Sequence, residues 1–189
     1  KVLELGGRNI DKDLAYVYKL AKSDAKHVKE NLCLAHNRLA NPSNKMELTN
    51  KLGETIWVDQ YEGSSIAQSR LEEILKMAKK EINLLTKKEI HYIMITGGVT
   101  EMADFSLVVE ENFGHRAKIA TVTDLGARNN KYSTSVGLIK YYENKLRLRN
   151  KEFSIFNLEE QEELGGVGRK INFSDNSILG KLFGYFFDN

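Results

Sequence analysis

The sequence predicts an α/β protein, on three observations. Apolar residues recur at helical spacing in several separate stretches, compact apolar runs of strand length fall between them, and Gly-Gly pairs stand where two of those runs end. In chain order, Val2 to Leu5 reads as a short strand stopped by Gly6 and Gly7, because glycine allows a turn or close backbone approach that other residues resist. Leu14, Val17, Tyr18 and Ala21 then share one helix face. Ser23 and Asp24 offer an N-cap to a second helix carrying Ala25, Val28 and Leu32. Asn37 to Asn50 holds the breaker cluster Asn41, Pro42, Ser43 and Asn44 and reads as the periphery of a small lobe, with Glu54 to Val58 the next strand.

Ser65 and Gln68 form a capping-box pattern ahead of the strongest helix, whose apolar stripe is Ala67, Leu71, Ile74, Ala78, Ile82 and Leu85. His91 to Thr96 is a strand running into Gly97 and Gly98, followed by a helix around Phe105, Val108 and Val109 that stops at Gly114. Ile119 to Val122 reads as a strand, and a glycine-containing loop leads from it to a helix from Tyr132 to Tyr142. Beyond Asn144 the periodicity lapses, and Asn150 to Asn176, with the acidic run Glu159 to Glu163, reads as a tether.

The chain has 189 residues, with 28 basic against 26 acidic side chains and 41% hydrophobic content, enough to bury a core and too balanced in charge to gather nucleic acid non-specifically. No nucleic-acid partner is expected. The single cysteine, Cys33, excludes an internal disulfide or a two-thiolate metal site and has apolar neighbours, so it reads as a small core residue. His36, His91 and His115 have no metal-ligand spacing, and no nucleophile–base pair stands out, so neither a metal site nor a catalytic set is expected. A chain that opens on Lys1 and runs at once into an apolar segment is expected to be part of something longer.

At the end of the chain, a helical wheel at about 100° per residue places Tyr185, Ile178, Leu182, Phe186, Leu179, Phe183 and Phe187 in one arc of about 200°. Gly180, Gly184, Ser177 and Lys181 fill the rest. Such a helix could dock in this protein, in a partner's groove, or in a membrane interface. The membrane surface is the leading reading, with anchoring mainly by apolar burial, since Lys181 alone supplies positive charge on the polar face.

Two further stretches carry chemistry. Gly97, Gly98, Val99 and Thr100 put side-chain-free backbone at the carboxyl end of a strand, where open α/β sheets bind ligands, although a Gly pair after a strand is more often a plain turn. Lys26, His27 and Lys29 lie within one helical turn and could present donors to an adenosine or form a solvated basic face. No GK[ST] run exists, so no P-loop is encoded.

Gly97-Gly98-Val99-Thr100-Glu101-Met102 and Gly126-Ala127-Arg128-Asn129-Asn130-Lys131-Tyr132-Ser133-Thr134-Ser135-Val136-Gly137-Leu138 resemble motifs of the FtsA family of actin-like bacterial cell-division proteins. Leu5 to Ala15 resembles that family's GG…ITxDIA segment, and Ala67 to Leu75 its ARLEEIL helix; Val99 stands where the family usually has a small residue. The resemblance covers residues 1 to 142 together with the tether and terminal helix. It implies an actin-like, ribonuclease H-like fold. Residues 1–22 would start subdomain IIA, 23–90 would form subdomain IIB, 91–144 the remainder of IIA, 145–176 a linker, and 177–189 a membrane-targeting helix.

By the same resemblance, ATP with Mg²⁺ would lie between two lobes, with Gly97, Gly98, Val99 and Thr100 at the adenosine and Lys29, Lys26 and His27 lining the base and ribose pocket. The phosphate loops would precede Lys1, so this piece alone is expected to bind nucleotide poorly and hydrolyse none, the whole protein being at most a weak ATPase. The parent would be a cytoplasmic scaffold at the division site, self-associating into filaments. It would link the FtsZ C-terminal tail, received near Arg70, to the cell membrane, held by Ile178, Leu179, Leu182, Phe183, Phe186 and Phe187. The other classes open to the sequence are an Hsp70-like ATPase or small-molecule kinase fragment, and an interaction module whose terminal helix enters a protein groove.

Overall fold

The structure is a computed structural model and describes residues 1–150. The tether beyond that point and the terminal amphipathic helix lie outside the described residues. Two units divide the chain, Lys1–Val136 and a second from Gly137 onward.

In the first unit the elements run α1 (Gly7–Val17), α2 (Lys22–Asn31), β1 (Lys45–Thr49), β2 (Thr55–Asp59), α3 (Gln60–Leu85), β3 (Ile93–Ile95), α4 (Phe105–Phe113) and β4 (Ala117–Ile119), and α5 (Ser133–Arg147) begins there and continues into the second. β1 and β2 form an antiparallel hairpin with Lys45 opposite Asp59 and Thr49 opposite Thr55. β3 and β4 pair in parallel, joined by α4 as a crossover. In the second unit, the described part of α5 carries Tyr141 with the Lys145 ammonium over its ring.

The core runs beneath both sheets. Ile10 and Leu14 of α1, Leu20 in the connection that follows it, Ala25 and Val28 of α2, Val58 of β2 and Ala67 of α3 are fully buried, and Phe105, Val108 and Val109 extend the cluster under β3 and β4. α1 and α3 are also joined through charge: the Arg70 guanidinium grips the Asp13 carboxylate with two bonds, Nε–Oδ2 at 2.6 Å and Nη2–Oδ1 at 2.9 Å, and also meets Glu73.

Several local expectations are corrected. Val2 to Leu5 is not a strand; it has no ladder partner among the described residues, and a lone extended segment cannot satisfy its backbone. α2 is capped by Ala21 with extended backbone, while Ser23 and Asp24 lie in its first turn, where the Asp24 charge favours the helix end. The breaker-rich stretch contains a strand, β1, whose Met46 and Leu48 face the core between polar neighbours. α3 starts at Gln60 rather than near Ser65: Asp59 Oδ1 accepts from the Glu62 N–H at 2.8 Å, and the Ser65 hydroxyl donates to the Tyr61 carbonyl inside the helix. β4 ends at Ile119, where the expected strand begins, and α5 runs to Arg147, past the expected end at Tyr142.

The early start of α3 gives its first three turns a task. Ser64 Oγ accepts from the Leu34 N–H at 2.8 Å, Gln68 Oε1 from the Asn37 N–H at 2.9 Å, and Gln60 donates to the Leu32 carbonyl and accepts from the Asn41 N–H, both at 2.9 Å. These side chains pin the irregular segment from Leu32 to Asn41 to the helix. They satisfy backbone groups that the absence of regular structure leaves open.

Candidate functional site: a cleft between two glycine turns

Within the first unit a cleft of about 930 Å³ is walled by the start of α1 (Gly7, Arg8), the end of α2 and the residues after it (Lys29 to Leu34), Gln60, the turn from Gly98 to Ala103, and Asn129 and Lys131. The two Gly-Gly segments meet here. A Cβ on Gly7 would stand 2.6 Å from Val99 Cγ2, so the backbone of α1 rests against the second glycine turn in a way only glycine permits. Gly97 has φ +123°, outside the range an L side chain favours, and this bend turns β3 into the short 3₁₀ helix Gly98–Glu101.

Asn130 holds that turn in place. Its side chain is buried and donates from Nδ2 to Thr100 Oγ1 at 2.8 Å, its N–H donates to Glu101 Oε1 at 2.8 Å, and its Oδ1 accepts from the Val122 N–H at 3.3 Å. Thr100 Oγ1 in turn donates to the Gly97 carbonyl at 2.8 Å. The two stretches that carry the family resemblance are therefore one hydrogen-bonded unit beside the cleft. Asn130→Ala leaves Thr100 and the Val122 N–H without their partner, and the expected cost is about 2 kcal/mol in a denaturant titration. Asn130→Asp, which sets a buried carboxylate oxygen against Thr100 Oγ1 in place of a donor, is expected to lose at least as much.

The expected site residues divide in three. Gly98, Val99 and Lys29 line the cleft, while Gly97 and Thr100 shape its wall from behind. The Lys29 ammonium is already engaged, 2.7 Å from Asp11 Oδ1 and 3.4 Å from the Gly7 carbonyl, so it ties α2 to α1 while its stem faces the cleft. Lys26 and His27 are not on that wall. Lys26 is exposed, 3.8 Å from Glu30, and faces a separate hollow with Lys22 and Leu3 to Asn9, whereas the His27 ring meets Asn31 Nδ2 at 3.0 Å. Arg70 lies elsewhere, held by Asp13 and Glu73.

The cleft also has polar walls that sequence reading did not single out. Arg8 and Lys131 supply positive charge, Asn31, Gln60 and Asn129 supply amides, and Glu30 and Glu101 supply carboxylates. That donor set suits a ligand with an anionic part and a flat, hydrogen-bonding part resting on glycine backbone. Cys33 edges the same cleft with its thiol held in the neutral form, because burial pushes its ionisation up to about 12 against the opposing pull of Lys29. Among the described residues no group of three His, Cys, Asp or Glu side chains is placed to hold a metal ion, and no helix is long and apolar enough to cross a membrane.

No family model matches the chain. It is 26% identical over 164 residues to the cell division protein FtsA of Bacillus subtilis (strain 168), covering 85% of this chain and 37% of that one. It is 28% identical over 149 residues to FtsA of Borreliella burgdorferi, covering 74% and 36%, and 24% identical over 142 residues to FtsA of Enterococcus hirae, covering 74% and 32%. The chain thus spans about a third of the length of the curated relatives it matches. Among solved structures, MreB5 of Spiroplasma citri bound to ADP superposes with a TM-score of 0.57 at 15% identity, over 78% of this chain and 47% of that one. The chain is thus similar to FtsA proteins over most of its length, and its fold is of the actin-like class.

Proposed function

We propose that this chain is the nucleotide-facing second lobe and membrane tail of an actin-like cell-division scaffold. The observation that carries the reading is the convergence of Gly7, Lys29 and the Asn130-clamped turn from Gly97 to Glu101 on one cleft. In this reading the base and ribose of ATP rest on Gly98 and Val99, with Gly97 and Thr100 fixing the turn. Lys29 lines the pocket, and Lys26 and His27 lie outside it on the solvent side. Asn31 Oδ1 and Asn129 Nδ2 offer hydrogen bonds to a purine edge, Gln60 being held by the Leu32 carbonyl and the Asn41 N–H, and Arg8 and Lys131 favour the phosphate end. Mg²⁺ would come in with the phosphates.

Residues 1–22 and 91–144 would form subdomain IIA, 23–90 subdomain IIB, and 145–176 a linker to the amphipathic helix 177–189. That helix, through Ile178, Leu179, Leu182, Phe183, Phe186 and Phe187, would hold the scaffold at the cytoplasmic face of the membrane at the division site, with filament formation multiplying a weak single-copy anchor. The FtsZ tail remains the proposed partner of the IIB surface. Arg70 can serve it only by exchanging the Asp13 carboxylate for one from the peptide.

Backbone amide shifts of the full 189-residue chain titrated with ADP test the cleft. The expected shifts fall on Gly98, Val99, Asn31 and Lys131; shifts scattered elsewhere, or none at millimolar ADP, overturn the assignment. Co-sedimentation with vesicles tests the tail separately, the variant with Leu182→Asp and Phe186→Asp being expected to keep the parent's fold and to stay in the supernatant where the parent pellets.

A further inference from the structure

The hairpin of β1 and β2 is a two-stranded sheet, so both of its long edges are unpaired among the described residues. Its hydrogen-bond phase is fixed at both ends. The Asn50 N–H donates to the Glu54 carbonyl at 2.9 Å and the Gln60 N–H to the Asn44 carbonyl at 2.8 Å, so the even-numbered residues of β1 bond to β2. Lys45, Glu47 and Thr49 therefore turn their N–H and C=O groups away from β2, and their side chains share the exposed outer face with Trp57, which is 58% exposed.

We propose that β1 is a self-pairing edge, through which a second copy of this chain adds antiparallel across a two-fold axis at Met46. In that register the backbone groups of Lys45 face those of the partner's Glu47, and Glu47 faces the partner's Lys45, each couple exchanging two main-chain hydrogen bonds. Both couples place opposite charges directly across the new ladder. Sliding the register by one pleat repeat in either direction sets Glu47 against the partner's Glu47 or Lys45 against the partner's Lys45, so charge selects one alignment. On the outer face each Lys45 then stands between its own hairpin's Asp59 and the partner's Glu47. On the inner face Met46 meets the partner's Met46 and continues the apolar rows of Met46 and Leu48 against Val58 and Ile56.

The other edge offers no such match. The outward groups of β2 belong to Thr55, Trp57 and Asp59, which contain no opposite-charge couple. The proposed contact is isologous and closes on itself as a pair, so it is distinct from head-to-tail filament growth and does not depend on nucleotide in the cleft.

Sedimentation equilibrium of the full chain tests it through charge exchange. The parent is expected to dimerise reversibly, and Lys45→Glu or Glu47→Lys alone to weaken dimerisation about tenfold by facing like charges. An equimolar mixture of the two variants is expected to recover the parent's association, because every facing couple is again opposite in sign. The chain carrying both changes is expected to recover it as well. In a Cys33→Ser background, Lys45→Cys and Glu47→Cys chains are expected to cross-link when mixed under mild oxidation, their Cα atoms standing about 5.5 Å apart. A monomeric parent, single variants that associate as the parent does, or a mixture no tighter than its components overturns the proposal. Those results would leave Lys45 and Glu47 as charges that keep a bare edge from pairing.

Discussion

Replacing Gly7 by valine is expected to destabilise the chain by about 3 kcal/mol, and by alanine about half as much. A side chain at Gly7 drives its Cβ to 2.6 Å from Val99 Cγ2, well inside contact distance, and Val99 is stiff at χ1 and packed against the core cluster. The first turn of α1 cannot retreat freely, because the Gly6 N–H bonds to Asn9 Oδ1 at 3.1 Å, the Asn9 N–H to the Gly6 carbonyl at 2.8 Å, and Lys29 reaches the Gly7 carbonyl. The gain in helix preference from Gly to Ala, about 1 kcal/mol at most, offsets only part of the overlap. The diagnostic step is the double variant. Val99→Ala removes the struck methyl, so Gly7→Ala is expected to cost far less in the Val99→Ala background than in the parent, with a coupling of about 1 kcal/mol or more in a denaturant-melt cycle. If Gly7→Ala melts with the parent in both backgrounds, the two glycine turns do not touch in solution.

What the sequence made legible was whatever periodicity encodes. α4 was readable because Val108 and Val109 follow Phe105 at helical spacing and Gly114, with φ +68°, ends the helix as its position suggested. The core side of the first half of α3 followed from Ala67 and Leu71, both buried, whereas Leu75 is buried outside the expected stripe and Leu85, at its end, is 70% exposed. The true start of that helix was hidden, because Gly63, Ser64 and Ser65 look like a turn and a cap, and their actual work is done across thirty residues of chain. β1 was obscured in the same way by the proline cluster just before it. In the site, the glycine turns could be found from local sequence, whereas Asn130, Gln60 and Asn31 could not: nothing local distinguishes a buried asparagine that clamps Thr100 from one on a solvated loop. Lys26 and His27 mark the limit of spacing arguments. One helical turn holds three basic residues, but only Lys29 is on the face that meets Asp11 and the cleft, and that choice is made by packing of α2 on α1.

Stability is expected to fall steeply between pH 9 and pH 12, with Cys33 responsible for a separable share. The thiol is buried against the backbone of Gly63, where an added Cβ would stand only 2.9 Å from its sulfur, and burial pushes its ionisation up to about 12 from the ordinary 9. A group whose ionisation is raised by folding contributes its full stabilisation below the unfolded value, where the thiol is neutral in both states. As pH rises past 9 the unfolded chain releases the proton and the folded chain keeps it, so the contribution is lost until the folded thiol also ionises near 12, a change on the order of 4 kcal/mol. Tyr18 acts in the same direction, since burial first and then the Glu62 carboxylate, which accepts its hydroxyl hydrogen at 3.3 Å, raise its ionisation as well. Cys33→Ala separates the two: measured by urea melts at pH 8 and pH 11, the parent is expected to lose more stability across that interval than the alanine variant, while both keep the Tyr18 component. Equal losses in the two proteins would mean that the thiol is reached by solvent and ionises freely. The cleft supplies an independent reading of the same burial, because a ligand seated against Leu32, Cys33 and Leu34 covers the sulfur further and is expected to slow its alkylation at pH 9, whereas a ligand bound elsewhere leaves that rate unchanged.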